Sequence, residues 1–197
     1  MKRAGLSLAV AAALLALDAC GGGRGVETVD CRKYKATGGE EYDRISGRAG
    51  ALNDEDRQFI CRAAVGESVG VVFARMAARR AASPAVRDYA QRMDYDHAKT
   101  HEEIAALARG EAGIAAPAGL DAPHLAERDV LAGLSGPAFD NAYLRASLDN
   151  GTTLIGVYQK EIREGGSPTF RRFAADNLAV LQERLRLTQG VGGQTTF

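Results

Sequence analysis

The sequence has no excess of charge of either sign. Its 25 basic side chains balance its 25 acidic ones, so the formal net charge at pH 7 is zero. A protein that binds nucleic acid, or an acidic membrane surface, through electrostatics carries a strongly basic face or a large positive charge. We therefore expect no nucleic-acid partner for this chain.

Two sequence motifs with well-understood chemistry are also missing. The sequence contains no glycine-rich phosphate loop and no Cys-x-x-Cys pair. These motifs support nucleotide binding and thiol-redox chemistry, respectively. We predict no catalytic residues, and the sequence favours a non-enzymatic protein.

No apolar run is long enough to cross a membrane. The longest extends from Leu6 to Leu17 after the basic residues Lys2 and Arg3, whereas a membrane-spanning helix needs roughly 20 apolar residues. A short apolar run that follows basic residues is typical of an export signal. We assign residues 1–19 to a cleaved signal peptide and exclude them from the fold.

The end of this segment resembles the lipobox of bacterial lipoproteins. In a lipobox, a Leu three positions before a Cys and a small residue just before the Cys direct lipidation, and Leu17, Ala19 and Cys20 match. The resemblance implies that Cys20 carries the lipid and anchors the chain at the periplasmic face of the outer membrane. Because Asp18 departs from the usual small residue, the alternative is secretion into the periplasm without an anchor.

Cysteine is scarce, and only two residues of this type follow Cys20. They are Cys31, in a segment rich in glycine and charge, and Cys61, in the first long helical pattern. We interpret residues 20–52 as a flexible tether. An even number of cysteines in an oxidising compartment indicates a disulfide. The alternative is one buried and one exposed thiol.

Strand-like alternation is absent, and helical periodicity takes its place from residue 53 to residue 190. Asn53 is predicted to cap the first helix, and Ser83-Pro84 and Ser167-Pro168 are typical helix starts. Gly165-Gly166 predicts a left-handed end for the helix that precedes it. Residues 191–197 are predicted to form a disordered tail.

The two halves of this region are alike. The Ser-Pro pairs lie 84 positions apart, and the same offset aligns Phe59 with Tyr143. A repeated helical hairpin with a long link between the two copies has the connectivity of ferritin-like bundles. The predicted fold is therefore all-α: a ferritin-like antiparallel four-helix bundle of two similar hairpins with a long crossover.

Four short segments of this region carry a family resemblance. They are Ser83-Pro84-Ala85-Val86-Arg87, Ala90-Gln91-Arg92-Met93, Asp96-His97 and Phe139-Asp140-Asn141-Ala142-Tyr143-Leu144. With these segments the chain resembles a bacterial family of exported ferritin-like proteins, called domain of unknown function 4142. The resemblance covers residues 53–189 and implies a four-helix bundle, but no activity is established for the family.

The resemblance also implies a metal site. Inward acids and histidines recur on the four helices of the family, and such side chains build di-metal sites in ferritin-like bundles. This chain keeps Asp96-His97, but Gly70, Asn150 and Arg184 stand at the other positions. Glycine donates no side-chain atom and arginine is a permanent cation. A complete di-iron centre is therefore not expected.

A reduced site is the remaining metal hypothesis. Glu67 lies one helical turn before Gly70, and His101 follows His97 by four residues. Glu67, Asp96, His97 and His101 are the predicted ligands of iron, manganese or zinc. In the alternative, His97 is a core histidine bonded to Glu67 or Asn150, and His101 is solvated.

Two functions follow from these patterns. The first is a non-enzymatic cell-envelope lipoprotein that binds an unknown envelope protein or small ligand, or has a structural role, without a cofactor. The second is a ferritin-like metal-binding or redox protein that uses the reduced site around His97.

Overall fold

The structure is a computed structural model that describes residues 28–32, 34 and 52–195, with side chains described as far as residue 193. The predicted signal peptide and Cys20 lie outside these residues.

The described part of the chain is all-helical, as predicted, with five helices and no strand. None of the five is long and apolar enough to span a membrane. In chain order they are α1 (Asp54–Arg80), α2 (Pro84–Ala112), α3 (Ala122–Gly133), α4 (Gly136–Glu164) and α5 (Pro168–Thr195).

The first helix begins where its capping signal predicts. The Asn53 side chain accepts a hydrogen bond from the Asp56 amide at 2.9 Å, and the Asn53 amide donates to Asp56 Oδ2 at 2.6 Å. Two backbone donors without helical partners are thereby satisfied. Helix α5 begins at Pro168 and continues to Thr195, within the predicted tail.

Each hairpin turn is capped by an acid from the other hairpin. The Ser83 side chain makes no capping bond; instead the amides of Ala82 and Ser83 donate to the Asp140 carboxylate of α4, at 2.9 and 2.8 Å. The Ser167 amide donates in the same way to Asp56 Oδ1 of α1, at 3.0 Å. Asp140 of the second hairpin thus accepts from the turn of the first, and Asp56 of the first accepts from the turn of the second.

The predicted left-handed end at Gly165 is wrong, because its φ is −61°. Glycine is needed there for space: a Cβ atom would lie 2.1 Å from Oε1 of Glu161. A Cβ on Gly166 would similarly lie 3.1 Å from the side chains of Asn53 and Asp56. The left-handed helix end occurs at Gly113 instead, which follows α2 with a φ of 64°.

Helix α1 packs against both α2 and α4, while α5 packs mainly against α4 and less extensively against α2. The apolar core has two parts. One contains Phe73, Met93 and Tyr143, and the other contains Phe59 and Phe170.

Residues 28–32 and 34 lie against the bundle. The structure joins Cys31 to Cys61 of α1 in a disulfide. The Val29 amide donates to the Leu120 carbonyl at 3.1 Å, and the Gln58 side chain donates to the Cys31 carbonyl at 2.8 Å. This part of the predicted tether is therefore attached both to α1 and to the crossover.

Candidate functional site

A buried polar cluster joins three helices in the middle of the bundle. Glu67 of α1 is fully buried, and His97 of α2 and Arg184 of α5 are nearly so. Glu67 Oε2 lies 2.6 Å from His97 Nδ1, and Arg184 Nη1 donates to the same oxygen at 3.2 Å. The structure thus brings the predicted ligands Glu67 and His97 together, and places a cation beside them.

Arg184 has further partners on α2. Its Nη2 donates to the Asp96 backbone carbonyl at 2.7 Å and to the Thr100 hydroxyl at 2.6 Å. A guanidinium offers five donors in one plane, which suits several acceptors at once. A buried carboxylate is costly unless an opposite charge and hydrogen bonds compensate it. Arg184 supplies both for Glu67.

Gly70 makes room for the His97 ring. A Cβ atom at Gly70 would lie 2.4 Å from Cγ of His97, which is far inside van der Waals contact. The imidazole therefore packs directly on the backbone of α1. The glycine that removes a potential ligand atom from this position also permits the contact between His97 and Glu67.

The other two predicted metal ligands point elsewhere. The Asp96 carboxylate forms an ion pair with Arg92 at 3.5 Å, on a partly exposed surface. His101 Nε2 lies 3.1 Å from the carbonyl of Pro117 in the crossover. Across residues 28–32, 34 and 52–195, no three or more His, Cys, Asp or Glu side chains converge in a group that could hold a metal.

Two neighbouring polar residues complete the surroundings of the cluster. Asn150 of α4 donates to the Gly66 carbonyl at 3.0 Å, so it bonds to α1 and not to His97. The Tyr158 hydroxyl is buried, with no hydrogen-bond partner among the described residues. Burial raises the pKa of Tyr158 well above its ordinary value, and the nearby Glu67 carboxylate raises it further. Tyr158 is therefore neutral.

A motif that the sequence prediction missed lies in α1. Residues 66–70 read Gly-Glu-Ser-Val-Gly and match the Gly-x-Ser-x-Gly pattern of serine hydrolases. In those enzymes the serine sits on a sharp turn between a strand and a helix. Here Ser68 lies inside a long helix, and its hydroxyl accepts a hydrogen bond from the Gly119 amide at 3.3 Å. The match therefore does not make Ser68 a catalytic nucleophile.

A second buried group of acids lies at the turn between α4 and α5. Glu161 is fully buried, and neither of its carboxyl oxygens has a hydrogen-bond partner among the described residues. Burial raises the pKa of Glu161 to about 8, and the adjacent Asp56 carboxyl adds to the effect. In the sequence, the feature that accompanies these buried acids is the Gly165-Gly166 pair, which leaves room for their side chains.

A groove of about 560 Å³ lies over the seam between α1 and α4. We call it the seam groove. Its side walls are residues 28–32 and the first turn of α3. Its floor is formed by residues of α1 and α4, and the residues used below are Arg62, Val65, Asn150, Thr153, Leu154 and Val157.

Comparison with curated proteins and with solved structures yields no match to this chain. A family model does match, and it covers residues 45–191, which is most of the chain. The match confirms the family resemblance carried by the segments around Ser83-Pro84 and Asp96-His97. The chain therefore belongs to the DUF4142 family, a domain of unknown function.

Proposed function

We propose that this protein is a non-enzymatic lipoprotein of the cell envelope. Cys20 anchors it at the periplasmic face of the outer membrane, and its ferritin-like bundle binds another envelope component or a small ligand. The observation that carries the proposal is the ion pair between Arg184 and Glu67 in the bundle core. This pair engages Glu67, one of the ligands that the metal hypothesis requires.

The cluster has the chemistry of a structural cross-link. A metal centre needs several anionic or neutral donor atoms that face a common point. Here the Glu67 carboxylate already accepts from Arg184 and lies against His97 Nδ1. A divalent cation at this place would meet the permanent positive charge of the guanidinium. The cluster therefore favours a binding or structural role over metal-dependent redox chemistry.

The connectivity supports a ferritin-like arrangement. Two helix pairs, α1 with α2 and α4 with α5, are linked by a long crossover that contains α3. Hydrogen bonds also join residues that lie 84 positions apart, Asn150 to Gly66 and Arg184 to Thr100. Contacts between equivalent positions are expected when two similar hairpins pack around a local two-fold axis.

The disulfide between Cys31 and Cys61 supports export, because disulfides persist in oxidising compartments and are rare in the cytosol. The anchor itself is tested by labelling cells with a palmitate analogue. We expect label on the wild-type protein and none on Cys20→Ala. An unlabelled wild-type protein would remove the anchor from the proposal.

The absence of a cofactor is tested by metal analysis of the purified protein. We expect no stoichiometric iron, manganese or zinc in the wild type, and the same result for His97→Ala. His124→Ala is the matched control, because His124 contacts Asp121 outside the core. Stoichiometric metal that is lost in His97→Ala and kept in His124→Ala would instead establish the alternative, a ferritin-like metal-binding or redox protein.

A further inference from the structure

The seam groove has a floor and two side walls, one of which is the first turn of α3. Helices α1 and α4 form its floor, where Gly66 allows Leu154 to approach so closely that a Cβ on the glycine would lie 2.6 Å from Leu154 Cδ2. Residues 28–32 form one wall, and the Cys31–Cys61 disulfide attaches that wall to α1. The groove is therefore bounded by covalent and hydrogen-bonded contacts.

The lining is mostly apolar. Val65 and Leu154 are buried in the floor, and Val29 and Val157 lie half-buried at the sides. Ligand sites of about 300–1,000 Å³ typically combine such walls with a few polar groups, and about 560 Å³ lies within this range. The lining is suited to the apolar body of a small molecule.

Two basic side chains at the groove already contact an acidic one. Arg32 forms an ion pair with Asp30 at 3.1 Å, and His124 lies 2.5 Å from the Asp121 carboxylate. Arg62 is different: it is exposed at the groove and has no ion pair or hydrogen bond with any side chain that the structure describes. Among the described lining residues, Arg62 is thus the basic side chain without an acidic partner.

A hydroxyl donor in the lining of the same groove can help Arg62 to hold an anionic group. Thr153 is exposed on the facing helix α4 with a hydroxyl that can donate. Asn150 offers no further donor, because its Nδ2 is committed to the Gly66 carbonyl and its Oδ1 can only accept. One guanidinium with one hydroxyl donor suits a singly charged carboxylate.

We propose that the seam groove binds a small apolar molecule that carries a single carboxylate, with the carboxylate on Arg62 and the apolar body against Val65, Leu154 and Val157. The inference rests on the binding role proposed above and names its ligand class. The ligand proposal can fail while the proposed function stands, since a bundle that binds only a protein partner would not bind such a molecule.

The test is calorimetric titration of the full mature chain with decanoate, decanol and decylamine, each below its micellar concentration. These probes share an apolar chain and differ in the charge of the head group. We expect decanoate to bind most tightly. Arg62→Gln should weaken decanoate about tenfold while leaving decanol unchanged, since only the charged contact is lost.

Two substitution pairs separate the groove from the rest of the surface. Thr153→Trp fills the groove and should abolish binding of decanoate and decanol, whereas Thr152→Trp, on the neighbouring exposed position, should not. Arg79→Gln, an exposed position at the end of α1, is the control for Arg62→Gln. Circular dichroism verifies that each variant is folded.

The proposal is overturned if decanoate binds no more tightly than decylamine, or if Arg62→Gln and Arg79→Gln have the same effect. It is also overturned if Thr153→Trp leaves decanoate binding intact. Opening the disulfide in the double variant Cys31→Ser with Cys61→Ser adds a further readout, because it releases one wall. We expect weaker decanoate binding in that variant, and unchanged binding would contradict the role of the wall.

Discussion

Glu161 makes the stability of the bundle depend on pH. Its carboxyl group is buried near the end of α4, where a Cβ atom on Gly165 would lie 2.1 Å from Oε1. Asp56 and Glu55 of α1 face it and raise its pKa, while Arg171 of α5 lowers it. Burial outweighs the arginine, so the folded protein keeps this carboxyl protonated at neutral pH.

The sign and size of the effect follow from linkage. Burial raises the pKa of Glu161 from about 4.5 to about 8, so in the window between these pH values the folded chain holds a proton that the unfolded chain releases. The free energy of unfolding therefore falls as pH rises through this window, by about 1.4 kcal/mol per pH unit. The stabilisation that comes from the protonated Glu161 carboxyl is fully present below about pH 4.5 and is lost above about pH 8. The total lies at about 3–5 kcal/mol.

Glu161→Gln removes this titration and keeps the shape of the side chain. We expect the variant to match the wild type near pH 5 and to exceed its stability by about 3 kcal/mol or more near pH 8.5. The assay is urea unfolding, followed by far-ultraviolet circular dichroism, across this pH range.

Glu164→Gln is the matched control, because Glu164 lies in the next turn of α4 and is about half exposed. It should retain the wild-type pH dependence. If Glu161→Gln also retains it, Glu161 titrates as an ordinary exposed carboxyl and the reasoning is refuted.

Three further substitutions test the contacts in the core, each by urea unfolding at neutral pH. Arg184→Met leaves the Glu67 carboxylate buried without a counter-charge and should cost about 3–5 kcal/mol. Gly70→Ala forces a methyl group into the His97 ring and should cost about 1–3 kcal/mol. Asp140→Ala leaves the amides at the turn between α1 and α2 without acceptors and should cost about 2 kcal/mol.

Each of these variants has an exposed counterpart. Arg186→Met breaks only a surface ion pair with Glu183 and should change stability by less than about 1 kcal/mol. Gly156→Ala meets no neighbouring atom and should stabilise α4 by about 0.5–1 kcal/mol. Asp149→Ala is the exposed counterpart of Asp140→Ala. If a core variant and its exposed counterpart changed the free energy of unfolding equally, the contact assigned to the core residue would not contribute to stability.

The helix starts could be predicted from sequence because their causes are local. Asn53 caps α1 by exchanging hydrogen bonds with Asp56, the third residue of that helix. Pro84 and Pro168 lie in the first turns of α2 and α5. The end of α4 was predicted at the right place for the wrong reason. Gly165 is required by the side chain of Glu161 and the backbone geometry is not left-handed, and a contact of this kind has no signature in local periodicity.

The candidate site was predictable only in part. Helical spacing placed Glu67 and His97 on inward faces of consecutive helices, and these helices are close neighbours in the hairpin. The partner of this pair, Arg184, comes from α5 and lies 117 positions after Glu67 in the chain. The family resemblance placed Arg184 at an inward position. The sequence did not predict that its long side chain reaches Glu67 across the bundle, because that pairing depends on how α5 packs.

Two pairs of residues that are separated by the 84-residue offset of the repeat are in contact in the middle of the bundle. Gly66 and Asn150 are equivalent positions, and so are Thr100 and Arg184, yet each pair is in contact. Where two copies of a hairpin meet on a local axis, equivalent side chains compete for the same space. Two asparagines would crowd at the first pair, and two arginines would place two cations against the single carboxylate of Glu67. One small and one large residue at each pair resolve the conflict, so the repeat must diverge in sequence at the positions where it contacts itself.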